Sequence, residues 1–362
     1  MKDALSLLLL LPFTFFLLPS CGKRRPPQPP VERVPQRTEL LSGVQRGNRV
    51  ILSWPVPQRN APNESVQSIR RIDIYRLAER PSAPLPLTEE EFATRSTLIG
   101  SISYETIKTA KDTLTYVDTL ELAGQPTRLR YSVRYVNAAG ERAGFSNFLL
   151  IEPAAKIAEP PLIVDRTYSE NAITIKWNPP AANIDGSTPI NLLGYNIYRV
   201  EKSQNEIGQT PLNPTLVTET SYSDQTFKFG EEYNYVVRSV SLGTGGAQIE
   251  SLNSNAIAAA PVDTFPPSAP EKPSVAPSTP GHLAIYFPAN PEKDVAGYYI
   301  YRSTDPDLPK EKWTKITPTL LTRTTYVDET VESGKRYYYY IIAVDAAGNR
   351  SAPSTAESEI AP

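Results

Sequence analysis

The chain has 362 residues, with 37 Lys and Arg against 39 Asp and Glu and a formal net charge of −2. That balance lacks the strongly basic footprint of a nucleic-acid binder. With one cysteine and one histidine, the chain has no route to an intrachain disulfide or to a zinc site of clustered histidine and cysteine ligands.

The first segment reads as a signal. Ala4 to Leu18 is almost wholly apolar, short of the roughly 20 residues a helix needs to span a bilayer. It ends in Leu18-Pro19-Ser20-Cys21-Gly22. This is similar to a bacterial lipobox, where a small residue precedes a cysteine that is lipidated after cleavage, although Pro19 departs from the usual small or β-branched residue. The alternative is an ordinary signal peptide cleaved elsewhere, which would leave an odd free thiol in an oxidising compartment. The expectation is removal of residues 1–20, a lipid on Cys21 and attachment to the cell envelope. Gly22, rather than an aspartate, favours the outer membrane or cell surface in a host that sorts as enteric bacteria do. Residues 21–36 carry Pro26, Pro27, Pro29, Pro30 and Pro35. They read as a polyproline stalk of roughly 40 Å, with Lys23, Arg24 and Arg25 beside anionic headgroups.

Beyond the stalk one pattern occurs three times. An alternating strand ends in an aromatic and a proline at Trp54-Pro55, Trp177-Asn-Pro179 and Phe287-Pro288. Period-two alternation turns one face of each strand into a core. A strand with Ile-Tyr-Arg follows, at Ile74-Tyr75-Arg76, Ile197-Tyr198-Arg199 and Ile300-Tyr301-Arg302. Next come the pairs Tyr116 and Asp118, Tyr222 and Asp224, and Tyr326 and Asp328. A long alternating strand then starts at Leu129, Tyr233 and Tyr337, which recur at intervals of 104 residues. Closing strands lie near Ser146, Ser254 and Ser354. About seven short strands per hundred residues, separated by turn residues, argue a β-sandwich.

In this order the landmarks resemble the bacterial form of the fibronectin type III repeat. The resemblance implies an all-β chain of three tandem sandwiches, at 37–154, 159–261 and 267–362, with linkers near Pro153 to Pro161 and Pro261 to Pro270. It also implies that Trp54 and Trp177 are core residues of the second strand, with Phe287 standing in for the third. Tyr233 and Tyr337 become tyrosine-corner residues whose hydroxyls pin the preceding turn, and Leu129 cannot do this. Tyr75 to Leu129 is 54 residues, against 35 and 36 in the other repeats. The first repeat therefore carries an insertion, and Thr88-Glu-Glu-Glu91 in it has capping-box spacing and predicts one short helical turn.

Enzyme chemistry finds few candidates. A Ser-His-Asp set would have to use His282, which sits at a strand start and reads as structural. Gly243-Thr-Gly245-Gly246 precedes no helix and reads as a hairpin turn rather than a phosphate loop. Adjacent carboxylates at Glu89 to Glu91 and at Glu231 and Glu232 read as solvated faces rather than a glycosidase pair. No catalytic residue, metal ligand or cofactor is assigned.

One surface stands apart. If Tyr298, Ile300, Tyr337, Tyr339 and Ile341 point inward, then Tyr299, Tyr301, Tyr338, Tyr340 and Ile342 share the outer face of two neighbouring strands. Tyrosine is favoured at binding surfaces, although cross-strand packing alone would also select it. The matching positions hold Arg71, Asp73, Arg130 and Arg134 in the first repeat, and Asn196, Tyr198, Val236 and Arg238 in the second. Trp313 reads as a core or edge residue. The expectation is an envelope binding or adhesion module for a protein or glycan partner. A structural spacer or assembly component is the alternative, and a carbohydrate-active enzyme or its accessory is more remote.

Overall fold

The computed structural model describes residues 35–57, 69–121, 127–202, 208 and 210–362. The signal segment, Cys21 and nearly all of the stalk lie outside the described residues. The strands in chain order are β1 (Ser42–Arg46), β2 (Arg49–Pro55), β3 (Ile69–Glu79), β4 (Thr97–Ser103), β5 (Thr113–Thr119), β6 (Arg128–Asn137), β7 (Arg142–Phe145) and β8 (Leu149–Ile151). Then follow β9 (Leu162–Tyr168), β10 (Ile173–Asn178), β11 (Gly194–Glu201), β12 (Ser221–Asp224), β13 (Tyr233–Leu242), β14 (Gln248–Glu250) and β15 (Ile257–Ala259). The last group is β16 (Ser274–Pro277), β17 (Leu283–Tyr286), β18 (Val295–Ser303), β19 (Thr314–Lys315), β20 (Thr325–Asp328), β21 (Arg336–Asp345) and β22 (Glu357–Ile360). Two short helices, α1 (Glu89–Arg95) and α2 (Tyr104–Thr109), interrupt the strands. Among the described residues no helix is long and apolar enough to cross a membrane.

The chain divides into two compact units. The first comprises the described residues of 35–43, 52–116 and 127–151. Its main sheet runs β4-β3-β6-β7, with β8 also on β6. The insertion forms here, and α1 starts at the expected place. Thr88 Oγ1 accepts the Glu91 amide at 3.2 Å, and the Glu91 carboxylate accepts the Thr88 amide at 2.8 Å. Phe92 then drops from α1 into a cluster with Leu77 and Phe145. The second helix, α2, was not foreseen. The loop ahead of α1 is held by two buried arginines. Arg128 Nε and Arg130 Nη2 donate to Glu79 at 2.8 and 3.0 Å, and the Nη2 of each also donates to a loop carbonyl, that of Ala83 at 2.7 Å and of Leu85 at 3.0 Å.

The second unit comprises residues 44–51, 117–126 and 152–362. It contains two apolar cores of the same design. In one, Ile163, Ile173, Ile175 and Trp177 face Tyr195, Ile197, Tyr233, Tyr235 and Val237. In the other, Leu283, Ile285 and Phe287 face Tyr298, Ile300, Tyr337, Tyr339 and Ile341. Each cluster joins residues two apart along its strands, so alternation alone sorts them inward. The later sandwich pairs the sheet β16-β17-β20 with β19-β18-β21-β22. This division into three and four strands is the fibronectin type III arrangement that the landmarks implied, and the chain is all-β. The corner hydroxyls are in place: Tyr233 accepts the Lys228 amide and Tyr337 the Glu332 amide, each at 3.0 Å.

The paired landmarks Ile-Tyr-Arg and Tyr-x-Asp have a common cause. Arg199 reaches Asp224 at 2.6 Å and Arg302 reaches Asp328 at 2.7 Å. Each carboxylate also accepts a core tyrosine hydroxyl, Tyr235 at 2.7 Å and Tyr339 at 2.9 Å. Thr226 and Thr330 supply an amide and a hydroxyl to the remaining oxygen. Burial opposes the charge on Asp224 and Asp328, but these donors outweigh it and hold both carboxyls below the usual aspartate range. These arginines and aspartates are thus internal ties and not a recognition site.

Candidate functional site

The outer face of β18 and β21 is set by their antiparallel register. Tyr299 lies opposite Ile342, Tyr301 opposite Tyr340 and Ser303 opposite Tyr338. The inward residues Tyr298, Ile300, Tyr337, Tyr339 and Ile341 fill the core, so Tyr299, Tyr301, Tyr338, Tyr340 and Ile342 share the other face. The Tyr301 and Tyr340 rings stack at 4.8 Å and 8°.

The face is not uniformly open. Tyr340 is only 3% exposed. Trp313 packs on it at 5.1 Å, Lys310 Nζ lies 5.3 Å from its ring, and its hydroxyl donates to the Lys310 carbonyl at 2.9 Å. Burial, then the neighbouring Tyr301, pushes the Tyr340 phenol up to about 12. Trp313 is itself fixed by an Nε1 bond to the Leu308 carbonyl at 2.9 Å. The 308–313 segment therefore caps one part of the face. Tyr340 belongs to the support of the surface rather than to the surface, a correction to its place among the candidate residues. Trp313 lies outside the sandwich core and acts as the cap.

Tyr299, Tyr301, Tyr338 and Ile342 remain half-buried. Lys315 Nζ lies 4.5 Å from the Tyr299 ring centroid and Arg350 Cζ lies 5.7 Å from it. Both cations are exposed. Cations this close to an aromatic ring are attracted to it, and they leave two positive charges beside an amphipathic aromatic. A shallow recess lined by Thr317, Leu320, Thr322, Arg323 and Tyr326 lies after β19 and carries no carboxylate or imidazole in its lining.

The matching positions of the earlier sandwich are closed by charge. The Glu250 carboxylate accepts the Tyr198 hydroxyl, Asn196 Nδ2 at 2.7 Å and Arg238 Nη1 at 2.8 Å. Arg46 adds a longer ion pair at 3.5 Å. Arg238 is 2% exposed and lies 4.0 Å from the Tyr198 ring centroid. Burial, then the hydrogen bond to Glu250, raises the Tyr198 phenol to about 12. In the first unit, Arg71 is turned onto the buried Asp73 at 2.8 Å, and Arg134 lies 4.7 Å from the Phe145 ring centroid.

One cluster went unseen in the sequence. Carboxylate oxygens of Asp263, Asp294 and Asp345 come within 4.8 Å of one another. Asp345 already accepts the Asn349 amide at 2.8 Å and Asn349 Nδ2 at 2.9 Å. Oxygen donors of this kind suit hard cations such as Ca²⁺, which take six to eight of them. Asp263 comes from the linker, Asp294 from the turn before β18 and Asp345 from the end of β21. His282 is satisfied locally, its Nδ1 lying 3.0 Å from both Thr279 Oγ1 and the Pro280 carbonyl. Gly243 to Gly246 form the expected turn between β13 and β14, closed by Gly243 N to the Ala247 carbonyl at 2.7 Å.

No protein-family model matches the chain. A curated relative, Exoglucanase B of Cellulomonas fimi, is 27% identical over 241 residues, covering 64% of this chain and 20% of that protein. The chain thus spans about a fifth of that relative's length. Among solved structures, the FN1–FN3 domains of chicken CNTN1 are 17% identical, cover 90% of this chain and 98% of theirs, and give a TM-score of 0.27. A Fn3-like protein from Clostridium thermocellum is 27% identical, covers 27% of this chain and 96% of its own, and gives a TM-score of 0.24.

Proposed function

We propose that the chain is a non-catalytic binding module of the cell envelope, held by a lipid on Cys21, and that the outer face of β18 and β21 meets a protein or glycan partner. The observation that supports this reading most is the Tyr299 ring with Lys315 and Arg350 both close to it. Such a site offers stacking area, hydroxyls and charge in one place, where the equivalent face of the earlier sandwich is closed by Glu250 and Arg238. The experiment is co-sedimentation of the lipidated protein with purified envelope fragments. Tyr299→Ser with Tyr338→Ser should keep the fold, because both side chains lie outside the core, and should weaken the association. Unchanged association would overturn the reading and favour a spacer without a ligand of its own.

A second reading draws on the match to a fifth of Exoglucanase B. In it the chain is an accessory that holds a polysaccharide for a separate hydrolase. Retention on insoluble cellulose, lost in the same double variant, would select this reading.

A further inference from the structure

The two sandwiches of the second unit can be superposed by their hydrogen bonds. Ser251 Oγ accepts the Ser239 amide at 3.0 Å, and Ser351 Oγ accepts the Ala343 amide at 2.9 Å. Ser254 and Ser354 accept the amides of Val237 and Ile341 in the same way. Val240 faces Glu250, and Val344 faces Arg350. Arg350 therefore stands where the earlier sandwich has Glu250, and Tyr299 stands where it has Asn196.

At Glu250 the sheet edge is in use. Residues 44–47 belong to the same unit and run parallel to β14, with Arg46 paired to Glu250. The Gly47 amide donates to the Glu250 carbonyl at 2.8 Å, and the Arg46 guanidinium lies 3.5 Å from the Glu250 carboxylate. An extended segment is thus held by strand pairing at this edge and by one ion pair.

At Arg350 the same edge is free. The bonds flanking Arg350 run from Ser351 N to Ala343 O and from Asp345 N to Asn349 O. In that pattern the amide and carbonyl of Arg350 itself point away from β21, and among the described residues neither has a hydrogen-bond partner. No ion pair among the described residues includes Arg350 or Lys315. An open edge is a template for another strand, and the sign of the charge at its centre is reversed relative to Glu250.

We propose that this edge receives an extended, acidic segment of a partner protein, whose carboxylate meets Arg350 and Lys315 across Tyr299 as Arg46 meets Glu250. The inference rests on the reading of the β18–β21 face as a binding surface and adds the chemistry of the partner. An N–H of the incoming strand donates to the Arg350 carbonyl, and the side chain of the residue before it supplies the anion, as Gly47 and Arg46 do at Glu250.

The test uses the full chain and fluorescence anisotropy with labelled peptides. Alternating Val-Glu hexapeptide should bind and alternating Val-Lys hexapeptide should not. Lys315→Glu with Arg350→Glu should weaken the acidic peptide by about tenfold or more and admit the basic one. N-methylation of alternate amides keeps the charge and removes strand pairing, so the methylated acidic peptide should lose binding. Equal binding of the methylated peptide would overturn the strand-addition claim. Binding of heparin without binding of Val-Glu peptide would overturn the protein segment in favour of an anionic glycan. Envelope association that depends on Tyr299 and Tyr338 while the acidic peptide fails would sink this inference alone. Association that ignores those tyrosines would sink the binding-surface reading itself.

Discussion

Asp328→Asn probes the internal tie that supports the candidate face from below. The carboxylate, 2% exposed, accepts four hydrogen bonds, from Arg302, Tyr339 and twice from Thr330. An amide in its place keeps one acceptor oxygen and turns an NH2 toward two donors, whichever way it is flipped. Removing one partner of a buried pair costs about 3–5 kcal/mol. The Arg302 side chain is 20% exposed and recovers some hydration, so the lower end, about 3 kcal/mol, is expected. For a sandwich of about a hundred residues that is a fall of roughly 10–20 °C in the midpoint of its own transition. Scanning calorimetry measures it. The carboxyl's folded pKa lies below its unfolded one, so its contribution is fully present above the unfolded value and is lost as pH falls through the folded value. The gap between wild type and variant should therefore close in acid. A loss under about 1 kcal/mol at neutral pH, or a gap that stays constant into strong acid, would refute the assignment.

Three further outcomes follow from the same contacts. Trp313→Ala uncovers Tyr340 and should bring its phenol down from about 12 toward the ordinary value near ~10, read by ultraviolet difference titration; an unmoved titration would mean that the cap does not desolvate the ring. Thr88→Ala removes the capping box of α1 and should cost about 1 kcal/mol in urea unfolding, with no effect on the second unit. Tyr337→Phe and Tyr233→Phe each delete one corner hydrogen bond and should each cost about 1 kcal/mol. Comparable losses at both positions would show that the two sandwiches of the second unit use the corner alike.

The sandwiches were legible because their signals are local. Alternation sorted Tyr298 and Tyr339 inward, and the Thr88 spacing marked α1. The repeated arginine and aspartate were visible as landmarks, but their pairing needed the register of two sheets to appear. What stayed hidden depends on how loops travel. Trp313 covers Tyr340 because the 308–313 segment turns back across the sheet, and no periodicity encodes that path. Arg46 reaches Glu250 across 204 residues of sequence, so the closed face around Tyr198 could not be told from the open one around Tyr299. Asp263, Asp294 and Asp345 converge from a linker, a turn and the end of β21, which lie far apart in sequence. α2 was missed because six residues show too little of a helical period to separate it from the strands beside it.

The proposed contact of the β18–β21 face with an envelope partner can be read in living cells. Its most direct test is photo-crosslinking in cells, with benzoylphenylalanine placed at Tyr299, at Tyr338 and at Tyr286, an exposed tyrosine on the opposite sheet of the same sandwich. A discrete adduct is expected from positions 299 and 338 and none from 286. No adduct at 299 and 338, or the same adducts at all three positions, would contradict it.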